Sequence, residues 1–245
     1  DDHSDTWSHG VQRYGAAMET FGDAVIRLGD SGPLQASLLV ERSYGSNTWQ
    51  QQIILRRGEP AILVRNWLTW LEPWRMVKLA CDVNTAEPVA THDIPFGFLT
   101  RPCDGHEYPT HMWLDVSGPC LAPPPSIAPP ATSQAAPRTD LTAPTIGLAL
   151  LNDGKYGCDV RGSTLRLTIL RCVPYAYHDP HPFGTRQRYD WVDLGSQSFT
   201  FALRPHVGDW RDTDIVARSR ALNQPPLPVT MHAHPGDLPP SGSLY

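Results

Sequence analysis

Proline is the feature that most restricts how this chain can fold. The 245 residues include 25 prolines, and 19 glycines add further breaks. A proline inside a helix removes a hydrogen bond and clashes with the preceding turn, so long helices cannot accommodate this density. The same residues suit tight turns between short extended segments. The sequence therefore predicts many short strands joined by turns.

Apolar residues at alternate positions mark the strands. The period of two is clear from Trp49 to Leu55 and from Leu165 to Leu170. Further strand candidates cover 36–41, 62–70, 76–83, 146–151 and 199–203. Strands about 8–12 residues apart with turn signals between them are typical of a sandwich built from meanders. We predict an all-β fold, a large double-layered sandwich, in which part of one sheet is covered on its second side.

The segment 11–28 shows a competing pattern. Its apolar residues recur at spacings of three and four, which is helical periodicity. Gly15, Gly22 and Gly29 oppose a helix, since each costs roughly 1 kcal/mol relative to alanine. We expect a short helical turn near 11–18 and a strand near 20–28.

Two segments are too rich in small residues and proline to belong to a core. Residues 118–144 form either an insertion between two strands or a linker between two domains. Residues 235–245 are interpreted as a linker towards a further C-terminal domain, and residues 1–234 as the β-sandwich domain. The chain opens at Asp1 without a methionine, which suggests a piece of a longer protein.

Charge and cysteine usage exclude several classes of partner. The formal net charge is −5 and no basic stripe occurs, so nucleic acid and anionic membrane are not expected partners. No apolar stretch approaches the roughly 20 residues of a membrane helix. The five cysteines form no CxxC pair, which predicts reduced thiols and a cytoplasmic protein.

No sequence motif supplies a catalytic group. The chain has no GxSxG, no Walker loop and no HExxH, and no pair of carboxylates can be assigned by spacing. The histidines of His178-Asp179-Pro180-His181 and His232-Ala233-His234 lack a third ligand at a characteristic spacing. We therefore predict no metal site and no catalytic residue in this chain.

Five segments follow one another along the chain in a characteristic order. Gly147 to Gly157 reads GLALLNDGKYG and continues through Asp159-Val160 to Leu170-Arg171. The other segments are Ser4 to Gly10, Ile94 to Gly97 with Arg101-Pro102, Trp113 to Ser117, and Pro205-His206 with Gly208-Asp209-Trp210. Together these segments resemble the β-rich C-terminal half of glycoside hydrolase family 38, the α-mannosidases, and the segment from Gly147 is similar to the family's signature. Cys158 departs from that signature, where an aromatic residue is usual.

The resemblance implies a fold and a parent enzyme. The fold would be a galactose mutarotase-like β-supersandwich. The parent would be a retaining, zinc-dependent α-mannosidase that hydrolyses terminal α-mannosidic bonds of glycans. Its nucleophile, acid and zinc would lie in a catalytic domain outside this chain. The chain alone is then expected to be inactive, to hold no cofactor, and to have mannosides and the parent's own catalytic and helical domains as partners.

The resemblance also implies residues near the substrate. Arg171 ends a strand where related enzymes bring an arginine towards the sugar, although a surface arginine at the end of a strand is the simpler interpretation. The polar turn containing Asn152, Asp153, Lys155 and Tyr156 is a second candidate, although Asn-Asp-Gly turn chemistry accounts for part of it. A third set, which could instead seal a domain interface, comprises Asp5, Trp7 and His9.

Two other functions stay open at this point. A stand-alone carbohydrate-binding module would present a platform of exposed tryptophans, for which Trp7, Trp191 and Trp210 are candidates. An aldose epimerase-like domain would need a histidine and a carboxylate that converge in a cleft. The α-mannosidase interpretation predicts instead an exposed apolar surface, where the catalytic domain would dock.

Overall fold

The computed structural model describes residues 6, 11–15, 19–121, 143–175, 188–230, 232, 235–237, 239 and 241–242. These residues form two antiparallel sheets, which confirms the all-β prediction. The strands are β1 (Val25–Ser31), β2 (Gln35–Tyr44), β3 (Asn47–Arg56), β4 (Ile62–Trp70), β5 (Arg75–Asp82), β6 (Val89–Ile94), β7 (Gly97–Arg101), β8 (Tyr108–Pro109), β9 (Trp113–Pro119), β10 (Thr145–Asn152), β11 (Gly157–Arg161), β12 (Thr164–Cys172) and β13 (Gly195–Val207).

The two sheets differ in size. The large sheet has nine strands in the order β1-β2-β3-β4-β13-β10-β9-β6-β7, and the small sheet has four in the order β5-β12-β11-β8. Strands that follow one another along the chain pair directly in β1 to β4, β6 to β7 and β11 to β12. These local hairpins are the meanders that the regular spacing of turn signals predicted.

The main core lies between the two sheets. Leu114 and Leu150 from the large sheet meet Leu165 and Leu167 from the small one, and all four are fully buried. Burial of each such side chain contributes about 1.5–3 kcal/mol. Alternation in these strands follows from the two-residue period of the pleat, which sends every second side chain into the core.

A second apolar cluster covers the outer face of the large sheet. Ala149, Leu151 and Ala202 pack there against Ile215 and Trp210. Ile215 opens the helix α1 (Ile215–Asn223), which follows a short 3₁₀ helix at Trp210–Asp212. β10 is therefore buried on both sides, as predicted for part of the sheet.

The segment before β1 differs from expectation. A strand near 20–28 was predicted, but β1 begins at Val25. Within the expected helical turn near 11–18, residues 11–15 form no helix, and residues 16–18 lie outside the described part of the chain. The Phe21 ring lies 5.3 Å from the Trp49 ring and also contacts Trp70 and Tyr44. The apolar residue at position 21 therefore closes one end of the core from an extended chain, without a helix.

The long proline-rich segment connects two neighbouring strands. β9 ends at Pro119 and β10 begins at Thr145, and these two residues pair in antiparallel register. Residues 122–142 lie outside the described part of the chain. The connection therefore leaves and re-enters the same sheet between adjacent strands.

Apolar side chains are exposed at the β1 edge of the large sheet. Leu28 pairs with Leu38, which pairs with Ile53, so the three share one face. Leu28 and Leu38 are exposed there, as are Ile26 and Leu55 on the same face. We call this set the apolar edge; it is the candidate for the exposed apolar surface that the α-mannosidase interpretation predicts. Within the described ranges, no helix is long and apolar enough to cross a membrane.

Candidate functional site

A β-bulge in β12 decides where Arg171 points. The pairing of β12 with β5 shifts between Thr168 and Leu170, which leaves Ile169 as the extra residue. Ile169 and Leu170 are consecutive, yet each is only 1% exposed and packs in the core. After the shift Arg171 lies on the same side of the strand as Thr168 and its partner Lys78. Strict alternation without the bulge would direct Arg171 into the core.

The outer face of the small sheet carries a cluster of paired charges, which we call the charge network. Lys78 Nζ donates hydrogen bonds to the carboxylates of Glu107 and Asp159. Arg166 Nε donates to Oδ1 of Asp159 at 2.6 Å, and the Thr168 hydroxyl donates to Glu107. The Asp159 side chain is 1% exposed. Two cations thus balance two carboxylates, which is the condition for burying such groups.

The Tyr14 ring covers the boundary between the charge network and Arg171. Its centroid lies 5.9 Å from Lys78 Nζ and 5.6 Å from Arg171 Cζ. The backbone N–H of Glu107 donates to the Gln12 carbonyl at 2.8 Å and holds the segment in place. Cations within about 6 Å of an aromatic face are attracted by its negative charge density.

An ion pair fastens the same segment to the loop before β8. Arg13 Nη2 lies 2.9 Å from Oδ2 of Asp104. The hydrogen bond from the backbone N–H of His106, together with the Arg13 guanidinium, lowers the pKa of the Asp104 carboxyl. Asp104 therefore stays ionised to a lower pH than a free aspartate, which favours the ion pair with Arg13.

The turn after β10 is built around Asn152. Its Oδ1 accepts hydrogen bonds from the backbone N–H groups of Gly154 at 3.1 Å and Lys155 at 2.8 Å. Its Nδ2 donates to the His111 carbonyl at 3.0 Å, and the side chain is buried. Asn152 therefore shapes the turn in the way that the Asn-Asp-Gly sequence predicts.

The next residues of the turn reach solvent. Asp153 is exposed, and its Oδ1 accepts a hydrogen bond from the Thr200 backbone N–H at 2.9 Å. The exposed Tyr156 ring stacks near the His111 ring, with a centroid distance of 6.4 Å. A carboxylate and a flat aromatic surface thus stand on the same turn.

Two residues connect this turn to Arg171. Lys155 Nζ donates to Gln197 Oε1 at 2.7 Å, and Gln197 Nε2 donates to the Asp193 carbonyl at 2.9 Å. Asp193 Oδ2 in turn accepts the backbone N–H of Arg171 at 3.1 Å. We call Lys155, Gln197, Asp193 and Arg171 the Arg171 cluster. The structure thus links the turn to the backbone of Arg171 through a series of hydrogen bonds.

Burial lowers the pKa of Lys155, while the Asp193 and Asp153 carboxylates oppose that shift. The Lys155 ammonium also lies 5.0 Å from the centre of the Phe199 ring. Its position is therefore fixed by an amide oxygen and an aromatic face, which leaves the ammonium a directed donor.

Sequence reasoning missed Asp193 and Gln197. Asp193 adopts a positive φ of 60°, which is uncommon for a residue other than glycine and is tolerated best by Asn and Asp. The only local signal is an aspartate two residues before a glycine at the start of a strand, and this is a weak turn signal. Their proximity to Lys155 and Arg171 comes from the sheet pairing.

Several predicted residues lie outside the described part of the chain. These are Asp5, Trp7 and His9 among the proposed sugar contacts, and His178, His181 and His234 among the histidines weighed as ligands. Among the described residues, no group of three or more His, Cys, Asp and Glu side chains could hold a metal ion. All five cysteines are free thiols.

The tryptophans that a carbohydrate-binding module would expose are not all exposed. Trp210, one of the three candidates, is 7% exposed, and its ring lies 4.7 Å from the Trp113 ring and 5.0 Å from the Phe98 ring. Trp191 is half-buried and packs edge-on against Trp74. Apolar packing under α1 therefore withdraws Trp210 from any sugar-binding platform.

Histidines meet carboxylates at three places among the described residues. His206 Nε2 lies 2.8 Å from Oδ1 of Asp115 in the interior, with side chains 2% and 0% exposed, so this pair is closed to a sugar. His106 Nδ1 lies 3.2 Å from Asp104 Oδ2, and His111 Nδ1 lies 3.4 Å from Asp93 Oδ2; both of these pairs are partly exposed. Their carboxylates are already engaged, since Asp104 Oδ2 accepts from Arg13 and Asp93 Oδ2 accepts from the Met112 backbone N–H. None of the three pairs therefore offers the unengaged acid and base that an epimerase requires.

The folded chain is a β-sandwich of a kind found in glycoside hydrolases. A protein in glycosyl hydrolase family 38 from Enterococcus faecalis has a similar structure, with a TM-score of 0.64, 12% identity, and coverage of 88% of this chain and 26% of that one. An α-mannosidase from Enterococcus faecalis V583 gives a TM-score of 0.58 at 10% identity, covering 81% of this chain and 24% of that one. At these identities the likeness shows the fold alone.

The sequence comparisons place the chain in a family. The family described as glycosyl hydrolases family 38 C-terminal domain matches residues 1–181. The chain therefore belongs to the C-terminal domain family of glycoside hydrolase family 38, which confirms the resemblance found in its motifs.

Curated relatives of the chain are much longer proteins. Alpha-mannosidase 2C1 of Mus musculus is 29% identical over 224 residues, which are 87% of this chain and 18% of that protein. Alpha-mannosidase 2C1 of Homo sapiens is 30% identical over 212 residues, which are 82% of this chain and 17% of that protein. The chain thus spans less than a fifth of the length of these relatives.

Proposed function

We propose that this chain is the non-catalytic β-sandwich region of a retaining, zinc-dependent α-mannosidase that cleaves terminal α-mannosidic bonds of glycans. Family membership and the names of the curated relatives support the substrate class. The role of the sandwich is to close one side of the substrate cleft, with the parent's catalytic and helical domains docked on the apolar edge.

The observation that carries this proposal is the bulge at Ile169. An interior position of a strand is turned outward there, and Arg171 is presented beside a fixed array of polar groups. A guanidinium offers five donors in a planar fork, which suits two neighbouring sugar hydroxyls or an active-site carboxylate. The hydrogen bond from its backbone N–H to Asp193 fixes the strand end that carries it.

The turn supplies the opposite side of the contact. Lys155 provides a directed ammonium, Asp153 a carboxylate and Tyr156 an exposed aromatic face. Hydroxyl groups of a mannoside accept hydrogen bonds from Lys155 and donate them to Asp153, while the apolar face of a sugar ring packs on Tyr156. These residues bind and orient the sugar; they make and break no bond.

The carboxylates of the charge network are unsuited to catalysis. Retaining hydrolysis needs a carboxylate nucleophile and a carboxylic acid about 5–5.5 Å apart, one ionised and one protonated. Glu107 and Asp159 instead share the ammonium of Lys78, and Asp159 is closed to solvent. We therefore assign the nucleophile and the acid to the catalytic domain of the parent.

The zinc of the proposed reaction is assigned to the same domain. The described residues do not fit a zinc site, because no three suitable ligand side chains lie together among them. Zinc would bind the mannose hydroxyls when present in the parent. No step performed by the described residues passes through it.

Hydrolysis of a chromogenic α-mannoside tests the proposal. This chain and the full-length parent are assayed side by side, with zinc added to both. We expect activity in the parent alone. Hydrolysis by the isolated chain would place the catalytic groups among these 245 residues. It would overturn the assignment of catalysis to a separate domain of the parent. Inactivity of the parent on mannosides, with activity on another glycoside, would overturn the substrate class.

A further inference from the structure

We propose that Trp67 and the polar side chains around it form a second, surface glycan-binding site on the outer face of the large sheet. The site is centred on Trp67 rather than on the Arg171 cluster, and it shares the Asp153 carboxylate with the sugar-binding turn proposed above. That its ligand contains α-linked mannose rests on the proposed function; that it is a neutral sugar rests on the geometry below.

A shallow depression marks this site. It has a volume of about 130 Å³ and is lined by Arg65, Asn66, Trp67, Asp153, Ser198, Phe199 and Thr200. Asn66 and Phe199 are buried and pair with each other, so they point into the core. The side chains of their strand neighbours therefore point outward, since successive residues of a strand face opposite sides. The depression is smaller than a typical small-molecule pocket, which suits one residue of a glycan.

Trp67 is a large aromatic residue on the exposed face of the sheet. Its side chain is 47% exposed. Across the strands it pairs with Gln50 and Ser198, and along β4 its same-face neighbours are Arg65 and Thr69. The apolar edge, by contrast, is a row of aliphatic side chains. A single large aromatic ring surrounded by polar groups is the composition of a surface that stacks on a sugar.

The polar groups around the ring offer both donors and acceptors. The Asp153 carboxylate is held at one end of the depression by its hydrogen bond from the Thr200 N–H. The exposed Arg65 forms no ion pair with any residue that the structure describes. The exposed Ser198 adds a hydroxyl. The charged residues that line the depression are one cation, Arg65, and one anion, Asp153. A lining without net charge favours a neutral polyhydroxylated ligand over a phosphate or a peptide terminus.

The floor of the depression is rigid. Asn66 Oδ1 accepts hydrogen bonds from Trp49 Nε1 and Gln51 Nε2, each at 3.0 Å. Asn66 Nδ2 donates to the Val64 carbonyl at 3.0 Å. These buried bonds fix β4 beneath Trp67, so binding at this position requires little ordering of the protein.

Titration of this chain with α-mannotriose, followed at the indole N–H signals by NMR, tests the proposal. We expect the Trp67 signal to shift in a saturable way. Calorimetric titration, which does not depend on that signal, should show that Trp67→Ala weakens binding at least tenfold. Arg65→Ala is a second variant that leaves the ring in place, and it should weaken binding severalfold. The matched control is Tyr175→Ala, which removes another exposed aromatic ring far along the chain. Thermal unfolding of each variant establishes that it is folded.

The outcomes separate this site from the proposed function. Binding that is lost in Arg171→Ala and kept in Trp67→Ala would overturn the surface site. The absence of a saturable shift with α-mannotriose would overturn it as well. Equal binding of maltotriose at Trp67 would overturn its assignment to mannose. Failure of the proposed function appears in a different experiment, as a parent enzyme that does not hydrolyse α-mannosides.

Discussion

The imidazole Nε2 of His206 lies 2.8 Å from Oδ1 of Asp115, and the two residues are 91 positions apart in sequence. His206 lies on β13 and Asp115 on β9, which flank β10. His206 Nδ1 lies 3.2 Å from the Gly208 carbonyl, so both ring nitrogens are engaged. This buried pair ties together three strands that also carry the turn at Asn152.

Removal of one member of this pair should destabilise the sandwich. Asp115→Ala leaves the His206 ring without its hydrogen-bond partner in a buried site, and an unsatisfied buried polar group costs about 1–3 kcal/mol. Urea unfolding followed by tryptophan fluorescence measures the change. Asp23→Ala removes an exposed carboxylate, and its free energy of unfolding should stay within about 0.5 kcal/mol of that of the unmutated chain. Equal stability of the two variants would contradict the prediction.

Gly147 is required for the approach of His206 to Asp115. A Cβ at position 147 would lie 2.4 Å from His206 Nε2 and 2.8 Å from Ser117 Cβ. Gly147→Ala should therefore cost about 1–3 kcal/mol through overpacking. Gly154→Ala is the control, since a Cβ at that position has nothing within 4 Å. Thermal unfolding of the two variants should show a clear loss for position 147 and little change for position 154.

Arg171 should matter for activity of the full-length parent and little for stability. Loss of a charge-assisted hydrogen bond to the sugar costs about 1.5–3 kcal/mol, which corresponds to a decrease in kcat/KM of about 10- to 150-fold for Arg171→Ala. Arg171→Lys keeps the charge but loses the fork, so it should recover only part of the activity. The exposed Arg27→Ala is the matched control. Unchanged kcat/KM in Arg171→Ala would show that Arg171 does not contact the substrate.

His92 should make the fold sensitive to acid. Burial, together with the charge of Arg101, lowers the pKa of His92 from 6.5 to about 4. Between those values the unfolded chain binds a proton that the folded chain does not, so stability is complete above pH 6.5 and falls as the pH decreases towards 4. The full shift corresponds to about 3 kcal/mol.

The difference between two titrations isolates this effect. The free energy of unfolding, measured from pH 7 to pH 4, should fall less in His92→Leu than in the unmutated chain. His111→Gln alters a partly exposed histidine and should keep the full decrease. If the free energy of unfolding falls with pH equally in the His92→Leu variant and in the unmutated chain, the prediction is wrong.

Much of the fold was predictable because its signals are local. Alternation in 62–70 corresponds to β4, and the Asn152-Asp153-Gly154 turn follows β10 as expected. The start of β1 was misplaced because Phe21 reads as part of a helix, whereas its apolar neighbours come from Tyr44, Trp49 and Trp70. Helix α1 was missed, since its apolar face is short and its burial depends on the outer face of a distant sheet.

The sequence by itself determined the all-β class, the family and the turn that holds Lys155, because period-two patterns, turn residues and motifs are properties of neighbouring residues. Tertiary structure alone decided that Arg171 points outward, that Trp210 is buried and that Trp67 is not. The direction of a strand residue depends on the register with its partner, and the bulge at Ile169 reverses the direction that alternation predicts. Register between distant strands is set by packing of the whole core, which no local pattern contains.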